Sequence, residues 1–62
     1  MKMNEIMEAL KKLSEAQGLY GAIYRFLKAM PEEDPYMYER TVKMLEGQNF
    51  KNAVDVVMYF EA

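Results

Sequence analysis

The sequence predicts an all-α fold, in which one long N-terminal helix and two short helices form a single domain over residues 1–62. Apolar residues recur at spacings of three and four along most of the chain, as expected for helices with one buried face. Pro31, Pro35 and Gly47 interrupt this pattern at two places and so divide it into three segments. At about 1.5 Å per residue, the first helix would be about 40 Å long and the others about 18 Å each, so the two short helices would lie along the long one.

The first helix is predicted from residue 4 to residue 30. Asn4 is a suitable N-cap, and Glu5 and Glu8 place negative charge in the first turn, where the helix dipole favours it. Pro31 disfavours helical geometry in the residue before it, so the helix is expected to end by Met30. A 3.5-residue repeat, typical of a helix-packing seam, runs through the segment without a slip at Met3, Ile6, Leu10, Leu13, Gln17, Tyr20, Tyr24 and Leu27.

Two glycines, Gly18 and Gly21, lie inside this predicted helix. The repeat stays in phase across them, which favours one continuous helix, bent near the glycines, over two helices separated by a C-cap at Gly18. Each interior glycine costs only about 1 kcal/mol relative to alanine. Ser14, Gly18 and Ala22 lie four residues apart, so one side of a continuous helix would be nearly bare. That side would accept either a helix of the same chain or a docking partner.

The second helix is predicted over residues 35–46. Asp34 followed by Pro35 combines an N-cap residue with proline at the first helical position, which is a strong start signal. Gly47 is well placed as the first residue beyond the C-terminus of this helix.

The third helix is predicted over residues 50–61, with Asn49 or Asn52 as its cap. Residues 54–60 are rich in side chains that favour strands, so a strand is the alternative for this segment. Because a lone strand would have no pairing partner in an otherwise helical chain, a helix is preferred.

Composition argues against several classes of function. The chain has no cysteine and no histidine, which removes thiol chemistry, disulfides and the commonest metal ligand and general base. Ser14 is the only serine and Thr41 the only threonine, and neither has a recognisable activating partner. No enzyme, and no bound metal or cofactor, is therefore expected.

Charge and hydropathy bear on location and partners. Ten carboxylates oppose eight Lys and Arg residues, which argues against binding to nucleic acid, because that binding relies on a basic surface. No apolar run is long enough for a membrane span, so a cytoplasmic protein is expected. Five tyrosines, seven methionines and two arginines match the composition of protein-binding surfaces. The predicted partner-binding residues are Gly18, Leu19, Tyr20, Gly21, Ala22, Tyr24 and Arg25.

The run AQGLYG at residues 16–21, followed by residues 24–27 and later by QNFKN at residues 48–52, resembles short uncharacterised helical proteins of phages and mobile elements of gram-positive bacteria. The resemblance covers most of the chain, although a basic residue follows the second glycine in those proteins and Ala22 stands there in this chain. Such proteins are often accessory factors, and some small phage proteins inhibit host defence nucleases. The resemblance therefore implies a protein that binds, and by binding inhibits, a host protein in the bacterial cytoplasm.

The sequence thus favours a non-enzymatic protein-interaction module. The alternative is a small nucleic-acid-associated regulator, for which Lys2, Lys11, Lys12, Arg25 and Lys28 would have to gather into one basic patch.

A homodimer is also predicted. The seam of the long helix spans about 25 residues, and each short helix can cover only about half of that length. The groove at Ser14, Gly18, Gly21 and Ala22 would then remain available to an identical copy.

Overall fold

Four α-helices and no strand make up the structure, a computed structural model that describes all 62 residues. The helices are α1 (Met3–Leu13), α2 (Gly18–Glu33), α3 (Pro35–Glu46) and α4 (Ala53–Glu61). α2 packs against both α1 and α3, while α1 also contacts α3 and α4. The all-α class is confirmed, whereas the prediction of three helices is wrong, because the chain forms four.

The predicted continuous helix over residues 4–30 is broken between Leu13 and Gly18. Residues 14–16 form a turn, in which the N–H groups of Glu15 and Ala16 donate to carbonyls three residues back, at 3.2 and 3.0 Å. Gln17 is extended, with φ −140° and ψ 128°, and serves as the N-cap of α2. The alternative of two helices describes this break, but its cap is misplaced, because Ser14 caps α1 and Gly18 begins α2.

Burial of the predicted seam explains why the chain turns back. Ile6 and Leu10 of α1 and Tyr20 of α2 are each almost completely buried. A straight helix of about 40 Å would leave most of this seam facing water, whereas a hairpin lets the two halves bury each other. Each half has its own apolar face with this spacing, so the repeat does not require a continuous helix.

The two ends of the predicted first helix also differ from the structure. The N-cap is Lys2 rather than Asn4, and the Lys2 backbone N–H donates to Glu5 Oε1 at 2.8 Å. At the other end the helix continues past Met30 through Pro31 to Glu33. The last turn is completed by the Asp34 N–H, which donates to the Met30 carbonyl at 2.8 Å.

Local signals set the boundaries of α3. Asp34 Oδ1 accepts a hydrogen bond from the Met37 N–H at 3.0 Å, and Pro35 occupies the first turn, as predicted. Gly47 follows the last residue of α3 but is right-handed, with φ −68°. The left-handed residue of this connection is Asn49, at φ 57°, a conformation that asparagine tolerates better than most residues.

The last segment is a helix rather than a strand, but α4 starts at Ala53, three residues later than predicted. Asn52 is its cap: the side-chain oxygen accepts from the Asp55 N–H at 3.2 Å. Asp55 in turn accepts from the Lys51 N–H at 2.8 Å, which fixes the entry into the helix.

The core is one cluster of ten buried hydrophobic residues drawn from all four helices and from the α3–α4 connection. Glu46, at the end of α3, reaches the start of α1, where its Oε2 accepts from the Met3 N–H at 2.8 Å. This carboxylate lies at the N-terminus of α1, where the helix dipole favours negative charge. The core and this contact hold α2 and α3 side by side and leave one face of the pair uncovered.

Candidate docking groove

An apolar groove of about 620 Å³, open to solvent, lies between α2, α3 and the end of α4. Ten of its eleven lining residues are hydrophobic, and Thr41 provides the only side-chain hydroxyl apart from that of Tyr59. The lining residues are Ala22, Ile23, Phe26, Leu27, Met30, Met37, Thr41, Met44, Leu45, Tyr59 and Phe60.

Helical spacing places these side chains along the groove. α2 contributes residues from 22 to 30 and α3 residues from 37 to 45, so each wall extends about 12 Å, or two helical turns. Leu27, Met30 and Leu45 are buried and form the floor. Phe26, Met37 and Met44 stand at the mouth, with 66%, 44% and 51% of their surface exposed.

Aromatic side chains of α4 complete the lining. Tyr59 packs edge-to-face on Phe50, with ring centroids 5.4 Å apart, and on Phe60, at 5.1 Å. Because Phe50 belongs to the core, these contacts connect the groove wall to the interior of the protein.

A hydrogen bond between α2 and α4 holds this wall in place. The hydroxyl of Tyr20, which is only 1% exposed, donates to Glu61 Oε2. This hydrogen bond, together with burial and the negative charge of Glu61, raises the pKa of Tyr20 to about 12. Tyr20 therefore keeps its proton, and can donate this hydrogen bond, over the whole physiological pH range.

The structure distributes the seven predicted partner-binding residues over different environments. Gly18 and Leu19 are exposed at the start of α2, and Ala22 lines the groove. Tyr20 and Gly21 are buried and belong to the contacts within the chain. The remaining two are Tyr24, which is half-buried, and Arg25, which is exposed.

The bare stripe predicted at Ser14, Gly18, Gly21 and Ala22 does not exist as one surface. Ser14 is the C-cap of α1 while the other three lie in α2, so the turn separates them. Only Gly21 approaches Ser14: a Cβ at Gly21 would lie 3.4 Å from Ser14 Cβ and 3.3 Å from Arg25 Nη1. At Gly18 an added Cβ would meet nothing within 4 Å.

Sequence reasoning missed most of the groove. Phe26 and Met30 belong to the same helix as the predicted residues, and the i, i+7 pair Met37 and Met44 lies on one edge of α3. That spacing was a usable signal for an apolar edge on α3. What it did not reveal is that the α2–α3 corner at Asp34 would place this edge beside Phe26.

Charged side chains around the groove have few partners within the chain. The only ion pair is Lys43 with Glu39, at 3.4 Å on the exposed side of α3. Lys28 Nζ lies 5.7 Å from the centre of the Tyr24 ring, and the Arg40 guanidinium lies 5.8 Å from that of Tyr36.

All five basic residues considered for a nucleic-acid patch are exposed, and they belong to α1, its N-cap and α2.

No three His, Cys, Asp or Glu side chains come together in an arrangement suited to a metal ion. None of the four helices combines the length and the apolar composition that crossing a membrane requires.

Neither a protein-family model, nor a curated protein, nor a solved structure matches the chain.

Proposed function

We propose that this protein is a non-enzymatic protein-interaction module whose docking surface is the groove between α2 and α3. The observation that carries the proposal is a continuous apolar surface, with Phe26, Met37 and Met44 standing at its mouth, on a chain that buries only 11 of its 62 residues. Exposed apolar side chains gathered on one face of a small protein mark an interaction site more often than scattered ones do.

A polypeptide fits this surface better than a small polar ligand does. Small-ligand sites combine an apolar lining with several placed polar groups that fix the orientation of the ligand. Here one threonine and one tyrosine hydroxyl are the only polar side-chain groups in the lining. Aromatic residues and methionine are enriched where proteins meet, and methionine adapts its shape to the partner.

The resemblance to phage and mobile-element proteins extends the proposal to the kind of partner. In that setting the bound protein is a component of the bacterial host, such as a defence factor. Binding would inhibit it by covering the surface on which it acts. This part of the proposal rests on the resemblance of residues 16–21 and 48–52 alone, and it does not depend on which polypeptide occupies the groove.

Photo-crosslinking inside cells tests the proposal. A photoreactive phenylalanine analogue replaces Phe26 in one variant and Met58 in another; both native side chains are 66% exposed, but only Phe26 lines the groove. Position 26 is expected to crosslink to another polypeptide chain, whereas position 58 is not. Absence of an adduct from position 26, or equal adducts from both positions, would overturn the assignment of the groove as the docking surface.

A further inference from the structure

α2 carries an exposed stripe beside the groove. Its members are spaced by three and four residues, and all five are exposed: Leu19, Ala22, Phe26, Ala29 and Glu33. This is the spacing of a helix-packing seam, on a side of α2 adjacent to that of Tyr20 and Leu27, which face the core. α2 therefore has two packing faces, of which the chain itself covers only one.

Large and small side chains alternate along this stripe, which makes it complementary to itself. If two copies of α2 pack antiparallel around a two-fold axis between Leu27 and Lys28, Phe26 of each copy lies opposite the partner's Ala29. The large ring then fills the space beside a methyl group, and symmetry provides the contact twice. Ala22 lies opposite the partner's Glu33 in the same register, at the edge of the contact.

The charges on α2 agree with this register. Arg25 and Glu32 are seven residues apart, so they lie on the same flank of the stripe. In the antiparallel pair with Phe26 opposite the partner's Ala29, Arg25 lies diagonally across from the partner's Glu32, about 3 Å along the helix from its exact counterpart, and symmetry again provides two such pairs. Neither residue has an ion-pair partner within its own chain, because the only ion pair present is Lys43 with Glu39.

The helix dipole favours the same arrangement. The charged residues of α2 are Arg25 and Lys28 towards its middle and Glu32 and Glu33 in its last turn, where the dipole disfavours negative charge. An antiparallel partner places the basic half of one helix beside the acidic end of the other. Two copies thereby relieve an electrostatic arrangement that is unfavourable in one.

We infer that the polypeptide covering this face is a second copy of the chain, in a two-fold dimer with antiparallel α2 helices. The inference rests on the proposed function and names the partner at that surface. On the other flank of the stripe, Met37 and Met44 of α3 complete the apolar contact. An interface of standard size takes about 800 Å² from each partner, roughly a sixth of the 4485 Å² of this chain. The exposed face formed by α2 and α3 together has an area of this order.

This dimer differs from the one predicted from the sequence. That prediction placed Ser14, Gly18, Gly21 and Ala22 at the contact, but Ser14 caps α1 and Gly21 is buried within the chain. In the dimer inferred from the structure, Phe26 and Ala29 form the contact instead, and both are exposed on α2.

Charge exchange tests the register. The dissociation constant of the dimer is measured by analytical ultracentrifugation for the wild type, Arg25→Glu, Glu32→Arg and the double variant. Each single change replaces two attractive pairs with two repulsive ones and is expected to weaken the dimer by about tenfold. The double variant restores opposite charges and is expected to return to within about threefold of the wild type. Lys12→Glu, an exposed charge change on α1, is the control and is expected to leave association unchanged.

Two outcomes would overturn the inference: a wild type that stays monomeric at high micromolar concentration, or a dimer whose single variants are not rescued by the double variant. Circular dichroism of every variant verifies that the helices are retained. A monomer that still crosslinks to a different polypeptide through position 26 rejects the dimer and leaves the interaction module in place. Absence of any crosslinked chain rejects both.

Discussion

Tyr20 shows how a side chain suited to a binding surface serves the interior instead. Its ring is buried in the core, and its hydroxyl reaches Glu61 at the end of α4. A tyrosine at the margin of a core behaves in this way because its ring favours burial while its hydroxyl needs a partner. The residue thus connects the hairpin of α1 and α2 to the wall of the groove.

The raised pKa of Tyr20 predicts how stability depends on alkaline pH. The folded state holds the phenolic proton more tightly than the unfolded state, whose tyrosine pKa is about 10. The contribution of the Tyr20 hydroxyl to the free energy of unfolding is therefore fully present below about pH 10. It is lost as the pH rises towards about 12. Chemical denaturation across this range is expected to show a decline for the wild type and a shallower decline for Tyr20→Phe.

Tyr20→Phe is also expected to lower stability at neutral pH, since Glu61 loses its hydrogen-bond donor while the ring stays buried. An alkaline decline of the same steepness in both proteins would contradict the role given to the Tyr20–Glu61 bond. Comparing the two proteins separates this effect from the titration of lysines, which both contain.

At the scale of elements, the turn at residues 14–17 decides the fold. Gly18 follows this turn as the first residue of α2, has no positive φ, and has space for a Cβ. Its glycine identity is therefore not required by conformation or by packing within the chain. Gly21 is different, because Ser14 of the turn approaches it closely.

Gly18→Ala is accordingly expected to stabilise the protein by about 0.5 kcal/mol, because alanine has less freedom to lose on folding. For a chain of this size that corresponds to a rise of about 3 °C in Tm, measured by thermal denaturation. Gly21→Ala is the matched control and is expected to gain less, since its Cβ would lie 3.3 Å from Arg25 Nη1 and 3.4 Å from Ser14 Cβ. A lower Tm for Gly18→Ala would show that the turn does need glycine.

The sequence predicted those elements whose boundaries are set by neighbouring residues. The Asp34 and Pro35 start signal and the Gly47 stop were sufficient for α3, and the Asn52 cap was one of two candidates for α4. The break near Gly18 was not predictable from periodicity, because two helices that bury each other and one continuous helix carry the same repeat. The decision depends on whether a partner exists for the seam, and that is a property of tertiary structure.

The candidate site was only partly predictable, because its composition is local but its walls depend on tertiary structure. Leu19, Ala22 and Arg25 were expected on a binding surface and are exposed on α2. The walls contributed by Met37 and Met44 depend on how α3 turns back at Asp34, and no local pattern encodes that angle. Tyr20 and Gly21 were assigned to the surface because a continuous helix would have presented them there.

At the scale of the whole molecule, the chain has more apolar surface than its own core uses. Seven large hydrophobic residues are exposed, while the core contains ten buried ones. A domain of about 60 residues buries only about 60% of the surface of its unfolded chain, so its stability is small and association adds to it. A second copy on α2 would cover Phe26, Met37 and Met44 together.

The most direct test of this account is an isotope-filtered nuclear Overhauser measurement on a mixture of labelled and unlabelled protein, which detects only contacts between different chains. The account predicts intermolecular signals between the Phe26 ring and the Ala29 methyl group at high micromolar concentration. It also predicts that these signals disappear in Arg25→Glu and return when Glu32→Arg is added. Absence of intermolecular signals in the wild type, or signals that arise from α4 at Val54 and Met58 instead, would contradict it.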